Sequence, residues 1–539
     1  MKRRNRFILF VPIALSMVLV ASCTNLEIEE TDSNFPEETG EGFAGLSAEA
    51  SASQVTGLYN DLNGHFGDQA NFFALNEVST DEQLVPTRGT DWGDNGIWRT
   101  LHQHTWDASH QYVLNTWNQF NQNAFRASEV IDSRSQSSAT DIAQAQFIRA
   151  LSMWVIMDLY GQVPFRQVDE GPEINPNVLT RTEALDFIVT DLEAAISGLP
   201  SAAAPSSEDN AKGSKAAARF LLARVLLNKH IYNGSGSADA SDMARVISLV
   251  DEIAAEGYAL QDGYFDIFRD TADTETIWYL PTSVGNRIFN GLHYNSTELS
   301  GGGWNGFSTL AEFYDLFEGD PSNNRGEADG TVLDGQEERR GFVPSGGIPF
   351  TDAEGTQDDN SDGFEDGSNV GLGFLIGQQY NTNGTKIKDR PGNDLAFTKD
   401  FPGLVGNNER TGIRVQKYAA RYGAFNGHEI IFRYADAHLM KAEAMMRSGG
   451  DATAMVNDLR TLRGATPLGS VTEQNLLDER GRELYVEFVR RVDMIRFGQF
   501  TRDWEFKDPG AVGDATKELY PIPNNALLSN PNLVQNPGY

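Results

Sequence analysis

One cysteine, Cys23, is the only thiol in 539 residues. That excludes an intramolecular disulfide framework and any zinc site built from paired CxxC motifs. Cationic residues are also scarce, with 43 Lys and Arg against 76 Asp and Glu and a formal net charge of −33. Binding to phosphate backbones or anionic lipid needs clustered Lys and Arg, so nucleic acid and peripheral membrane docking are set aside as the main activity. The same charge disfavours a polyanionic cargo unless calcium bridges it. No HExxH, GxSxG or P-loop occurs, and "GLGFLIG" at 371–377 does not match the dinucleotide fingerprint. His102, His104 and His110 cluster in sequence without a recognised metal-ligand spacing. With 76 acidic residues some carboxylate pair always resembles a glycosidase site, so such a pair carries no weight. No apolar run beyond the N-terminus approaches the ~20 residues of a membrane-crossing helix. The 40% apolar content and 20 prolines point to a folded globular chain, and its length fits two or three domains or one large helical assembly.

The N-terminus is where the missing features concentrate. Lys2, Arg3, Arg4 and Arg6 precede "FILFVPIALSMVLVA" and then small residues, the order of a secretory signal. Leu19-Val20-Ala21-Ser22-Cys23 resembles the lipobox of bacterial lipoproteins. The resemblance implies that Cys23 carries lipid on sulfur and begins the mature chain, with acyl chains anchoring at roughly 0.8 kcal/mol per buried CH₂. Thr24 and Asn25 lack the aspartate of inner-membrane retention, and Glu27, Glu29 and Glu30 resemble the acidic export tag of surface lipoproteins. The expected location is the cell outer membrane, lipid-anchored and surface-exposed.

Five regions follow: a signal at 1–22, an acidic tether at 23–44, a helical region at 45–265, a loop-rich insertion at 266–425 and a second helical region with an extended tail at 426–539. In "AQFIRALSMWVIMDLYG" apolar residues recur at three and four, which predicts one apolar stripe including Trp154, stopped at Gly161. Thr180 and Glu183 form a capping-box pattern. Alanines 216, 217, 218 and 223 permit close helix crossings, and helices arriving in pairs suggest tetratricopeptide-like stacking, although no strict 34-residue repeat is present. In the insertion glycine and asparagine multiply and helical periodicity fades, so loops with short strands are expected. Helices are expected to resume at "EIIFRYADAHLMKAEAMMRSG" and "LLDERGRELYVEFVRRVDMIRFGQF". In the latter, charges from Glu479 to Arg496 at three- and four-residue spacing would pair along one face. "LYPIPNNALLSNPNLVQNPGY", with four prolines, should run extended over the surface.

"FIRALSMWVIMDLYGQVPF", "FRYADAHLMKAEAMMRSG", "LLDERGRELYVEFVRRVDMIRFG" and "LYPIPNNALLSNPNLVQNPGY", in that order behind a lipobox, resemble the SusD/RagB family of outer-membrane nutrient-binding lipoproteins. The resemblance implies a mainly α, tetratricopeptide-like helical-repeat scaffold with a loop-rich insertion. It also implies capture of a glycan or other oligomeric nutrient at the cell surface and a SusC-like TonB-dependent transporter as partner. No catalytic step and no cofactor is expected.

A non-covalent glycan binder offers aromatic planes to sugar faces and a few polar groups to hydroxyls. Two stretches carry aromatics outside helical stripes. "STDEQLVPTRGTDWGDNGIW" holds Trp92 and Trp98 near Asp81 and Glu82, and "GLHYNSTELSGGGWNGFST" holds Tyr294, Trp304 and Phe307. Asp81, Trp92, Trp98, Tyr294, Trp304 and Phe307 are therefore the candidate ligand-binding residues. "DDNSDGFED" spaces Asp358, Asn360, Asp362 and Asp366 around Gly363 like the start of a calcium loop, but position 12 is Asn369 and the bidentate glutamate is missing. Two other readings stay open: a secreted glycan-degrading enzyme with its carboxylates in the insertion, and a structural lipoprotein adaptor with no ligand.

Overall fold

Helix α5 (Ala139–Tyr160) sets the architecture, following α1 (Ala48–Gly67), α2 (Asn71–Glu77), α3 (Ile97–Gln103) and α4 (Gln111–Ile131). Ser138 caps its start by accepting from Asp141 N–H, and Gly161 ends it at φ 73°, a left-handed conformation that favours glycine. Every residue from Phe147 to Tyr160 is buried. The sequence pattern predicts a single apolar stripe, and the helix is instead covered all round, as a helix at the centre of a layered assembly must be. Trp154 lies in this core.

The computed structural model describes residues 42–201, 208–268, 273–284, 291–296, 302–322, 324, 335–343, 371–381, 385–418 and 427–539. Ala44–Tyr539 form one compact unit. Cys23, the rest of the signal and tether up to residue 41, and the calcium candidates Asp358, Asn360, Asp362 and Asp366 lie outside the described residues.

After α5 come the hairpin β1 (Gln162–Phe165) and β2 (Asn177–Thr180), then α6 (Arg181–Gly198), α7 (Lys215–Leu227), the one-turn α8 (Lys229–Tyr232) and α9 (Ala240–Ala255). Thr180 and Glu183 make the reciprocal bonds of a capping box at the start of α6. Ala216, Ala217, Ala218 and Ala223 are fully buried where α7 packs on its neighbours. Helices α4, α5, α6, α7 and α9 each pack on the next, and α11 (Tyr434–Arg447) continues the row from the C-terminal region. That is the sequential stacking of a tetratricopeptide-like array.

The insertion leaves and re-enters through a pair of antiparallel strands, β3 (Thr276–Leu280) and β9 (Glu429–Arg433), with Thr276 opposite Arg433 and Leu280 opposite Glu429. "EIIFR" is thus a strand rather than the first turn of a helix, because its β-branched and aromatic residues are buried on both faces. Between them lie the one-turn α10 (Ala311–Tyr314), the sheet β4 (Gly341–Phe342), β5 (Leu372–Leu375) and β8 (Arg414–Gln416), and the pair β6 (Gly377–Gln378) and β7 (Ala396–Phe397).

After α12 (Thr453–Leu462), the long helix expected near the C-terminus is broken into α13 (Glu473–Leu484) and α14 (Arg490–Arg496). Val486 and Phe488 between them adopt positive φ, 62° and 64°. Two buried carboxylates hold the break: Val486 N–H donates to Glu82 and Phe488 N–H to Glu77, both at 2.5 Å. The charged residues here do not line one solvated face. Arg482–Glu479 and Arg496–Asp493 are local pairs, while Arg490 reaches Asp81, Arg491 reaches Asp158 and Arg496 reaches Glu443, all buried. Glu483 at the end of α13 takes Arg339, Arg433 and Arg463 together, and Arg433 and Arg463 also share Glu275. This ionic core bolts the root of the insertion onto the C-terminal helices.

The tail is packed rather than draped. It contains α15 (Asn524–Ser529), buries Tyr520, Ile522 and Leu533, and ties Tyr520 Oη to the Leu75 carbonyl and Trp106 Nε1 to Tyr539 Oη. Among the described residues no helix is long and apolar enough to cross a membrane.

Candidate functional site

Three glycines shape the place where separate aromatic stretches meet. At Gly302, φ 72°, a Cβ would fall on the Tyr294 carbonyl; at Gly303 it would fall on that of Leu292, and at Gly306 on the Trp92 ring. Only a chain without side chains at these positions lies so close to 292–294. Gly303 N–H donates to His293 O (2.9 Å) and Asn305 N–H to Leu292 O (2.7 Å), fixing the approach. Trp304, between these anchors, is 56% exposed.

Trp92, half-buried, donates from Nε1 to the Trp304 carbonyl at 2.7 Å. Tyr294, also half-buried, donates from Oη to Asp91 Oδ2 at 2.8 Å, and the Arg390 guanidinium lies 3.9 Å from its ring centre. Arg390 pairs in turn with Asp91 at 2.5 Å and with Glu409. Trp92 and Trp304 thereby meet across 212 positions of sequence, and Tyr294 joins them with Asp91, Arg390 and the exposed Asn295 alongside.

The ground beneath is polar and buried. His293 Nδ1 lies 3.0 Å from the Asn295 N–H and Nε2 lies 2.9 Å from Glu409. Nδ1 must accept, so Nε2 carries the proton and donates to the carboxylate; burial holds the ring below the usual histidine range, in keeping with a neutral imidazole. Burial raises Asp91 and Glu409, but their bonds to Arg390, with Tyr294 on Asp91 and His293 on Glu409, outweigh it and keep both below the ordinary carboxylate range. Arg88 and Arg414 are buried below, bound to hydroxyls, carbonyls and the Asn305 amide: Arg88 to Thr411, Asn408 and Ser308, Arg414 to Asn305, Glu409 O, Thr411 O, Gly412 O and Ser308. Burial pushes Arg88 down to about 9.

Three expected ligand contacts are corrected. Trp98 is 2% exposed; it belongs to α3, faces inward, donates to Asp94 at 2.9 Å and meets Trp92 and Phe307 edge-on. Phe307, 5% exposed, packs on Phe73 and Trp92. These two rings are the floor under Trp92. Asp81 is buried in a two-pronged bond to Arg490, 2.7 Å for each oxygen, with Arg502 added, and Glu82 is buried at the α13–α14 break. His102, His104 and His110 each bond a backbone carbonyl. Among the described residues no His, Cys, Asp or Glu cluster could hold a metal ion. Sequence reasoning missed Asp91, His293, Arg390 and Arg414; "KDRPGND" at 388–394 reads as a turn, but nothing local says it folds onto Tyr294.

Comparison with known proteins bears on the same regions. Residues 274–539 match the model of the SusD family, and residues 60–227 match a model described as "starch-binding associating with outer membrane". The starch-binding protein SusD of Bacteroides thetaiotaomicron is 26% identical, with 96% of each chain covered. A SusD-like protein from Bacteroides fragilis superposes with a TM-score of 0.65 at 20% identity, covering 91% of this chain and 97% of the other. Surface glycan-binding protein A from Bacteroides thetaiotaomicron, solved in complex with laminarihexaose, gives a TM-score of 0.62 at 19% identity, covering 91% and 99%. The chain belongs to the SusD family.

Proposed function

We propose that this protein captures a glycan outside the cell on the face formed by Trp92, Tyr294 and Trp304 and passes it to a SusC-like TonB-dependent transporter. Anchoring at the outer membrane is through acylated Cys23, reached by the lipobox sequence and consistent with an outer-membrane-associated family. Support for glycan as cargo comes from the relatives, one named as a starch binder and another solved with laminarihexaose.

The observation that carries the reading is the exposed Trp304, carried on a glycine-dependent loop whose backbone abuts Tyr294 and Trp92. Sugar rings present weakly apolar faces edged by hydroxyls, so an indole supplies the plane while Asp91, Arg390 and Asn295 supply acceptors and donors. Because Asp91 and Arg390 already hold each other and Tyr294 in place, little side-chain entropy remains to be lost on binding.

Incubation with an oligosaccharide panel separates this from its rivals. Retention without product, reduced at least tenfold by Trp304→Ala and by Tyr294→Ala, is the expected result. New reducing ends would favour a degrading enzyme, and tight pairing with a barrel without any retained glycan would favour a structural adaptor.

A further inference from the structure

The surface next to the aromatic face is cationic in a protein whose net charge is −33. Lys386, Lys388 and Arg390 alternate along one arm of a hairpin whose other arm returns through Asp394, with bridges Tyr380↔Lys386 and Lys388↔Asp394. Alternation places the three on one face at ~6.7 Å intervals, and they are exposed while Ile387 and Asp389 between them are buried. The row runs directly into the site: the Lys388 carbonyl accepts from Asn295 Nδ2 at 2.7 Å, and Arg390 lies over the Tyr294 ring.

Charge compensation in the row is incomplete. Lys386 and Lys388 share the carboxylate of Asp394, at 3.2 and 3.0 Å. Such exposed pairs are weak and open readily. Arg390 is matched by Asp91 and Glu409, but Arg88 and Arg414 lie below on carbonyls, hydroxyls and an amide. Asp389 in the same strand is matched by Arg410 at 3.4 Å, so among the described residues these five cations meet the three carboxylates of Asp91, Asp394 and Glu409. The acidic charge elsewhere is screened beyond about 8 Å at physiological ionic strength, so this local excess governs what approaches the face. Lysine ammonium groups are donors only, and they suit ligand atoms that only accept.

We infer that the glycan taken by this site is acidic, with carboxylate or sulfate groups seated over Lys386 and Lys388 while a neighbouring sugar face lies on Trp304 and Tyr294. The inference rests on the glycan-capture reading and names its substrate class. It also revises the expectation that overall acidity disfavours a polyanionic cargo, because the local charge has the opposite sign.

The test is calorimetric titration of the full-length protein with a neutral glucan, a polyuronate and a sulfated galactan, each at about 0.02 M and 0.3 M salt to lengthen and shorten the screening distance. At low salt one acidic polymer should bind at least tenfold more tightly than the glucan, and the uronate and sulfate arms identify which anion is read. High salt should remove most of that preference. Lys386→Gln/Lys388→Gln should reduce the acidic-to-neutral ratio about tenfold; both side chains are exposed, so the variant should keep the parent's melting temperature. Glucan binding equal to or tighter than both acidic polymers would overturn the acidic assignment and leave glycan capture standing. Binding of none of the three would overturn both.

Discussion

Truncating Trp98 and truncating Trp304 should fail in different ways. Trp98→Ala empties a core position under Trp92 and Phe307, which should cost about 3–5 kcal/mol of stability by denaturant unfolding. Trp304→Ala removes a residue that is more than half exposed, so unfolding should stay within about 1 kcal/mol of the parent while glycan retention is lost. Trp92 and Trp98 share the same Asp- and Gly-rich stretch, and composition cannot say which ring turns inward. That is decided by α3, which begins at Ile97 and carries Trp98 on its buried side, and by the left-handed φ of Trp92. The exposure of Trp304 was legible because glycines surround it. Arg390 and His293 were not, since their partners lie 299 and 116 residues away.

Among the elements, the break between α13 and α14 is the least expected, because helical spacing of charges continues through it. Spacing reports which residues recur, whereas the break is imposed from a distant segment by Glu77 and Glu82. Burial, then the neighbouring charge of Glu77, raises Glu82 well above the ordinary carboxylate range. A carboxyl whose folded pKa is raised contributes fully below its unfolded value near 4.3 and loses that contribution as pH rises towards the folded one. Glu82→Gln keeps an acceptor for Val486 N–H and a donor towards Glu77 without titrating. Urea unfolding at pH 5 to 8 should therefore show the variant gaining on the parent as pH rises, by up to about 1.4 kcal/mol per unit. A gap that is flat or shrinks would show that Glu82 is ionised in the folded protein. Elsewhere local signals were reliable: the capping box at Thr180, the stop at Gly161 and the alanine crossings of α7 were all readable because they depend on residues within one or two turns.

For the whole molecule, a row of stacked helices supplies a rigid base, and β3–β9 with the Glu483-centred ion cluster fixes the insertion to it. Removing one partner from such a buried cluster leaves charge unpaired, which is why rigidity here depends on every member being present. The order of helices, and the turn to loops with short strands between them, were readable from periodicity and composition. How the insertion folds back, and which of its loops meets residues 88–99, was not, because those pairings span hundreds of residues and leave no local pattern. The central claim is that this fold-back creates a glycan-binding face. A crystal structure of the protein with a retained oligosaccharide tests it most directly. Sugar rings stacked on Trp304 and Tyr294, with hydroxyls near Asp91 and Asn295, are the predicted result; an oligosaccharide bound elsewhere with this face empty would contradict it.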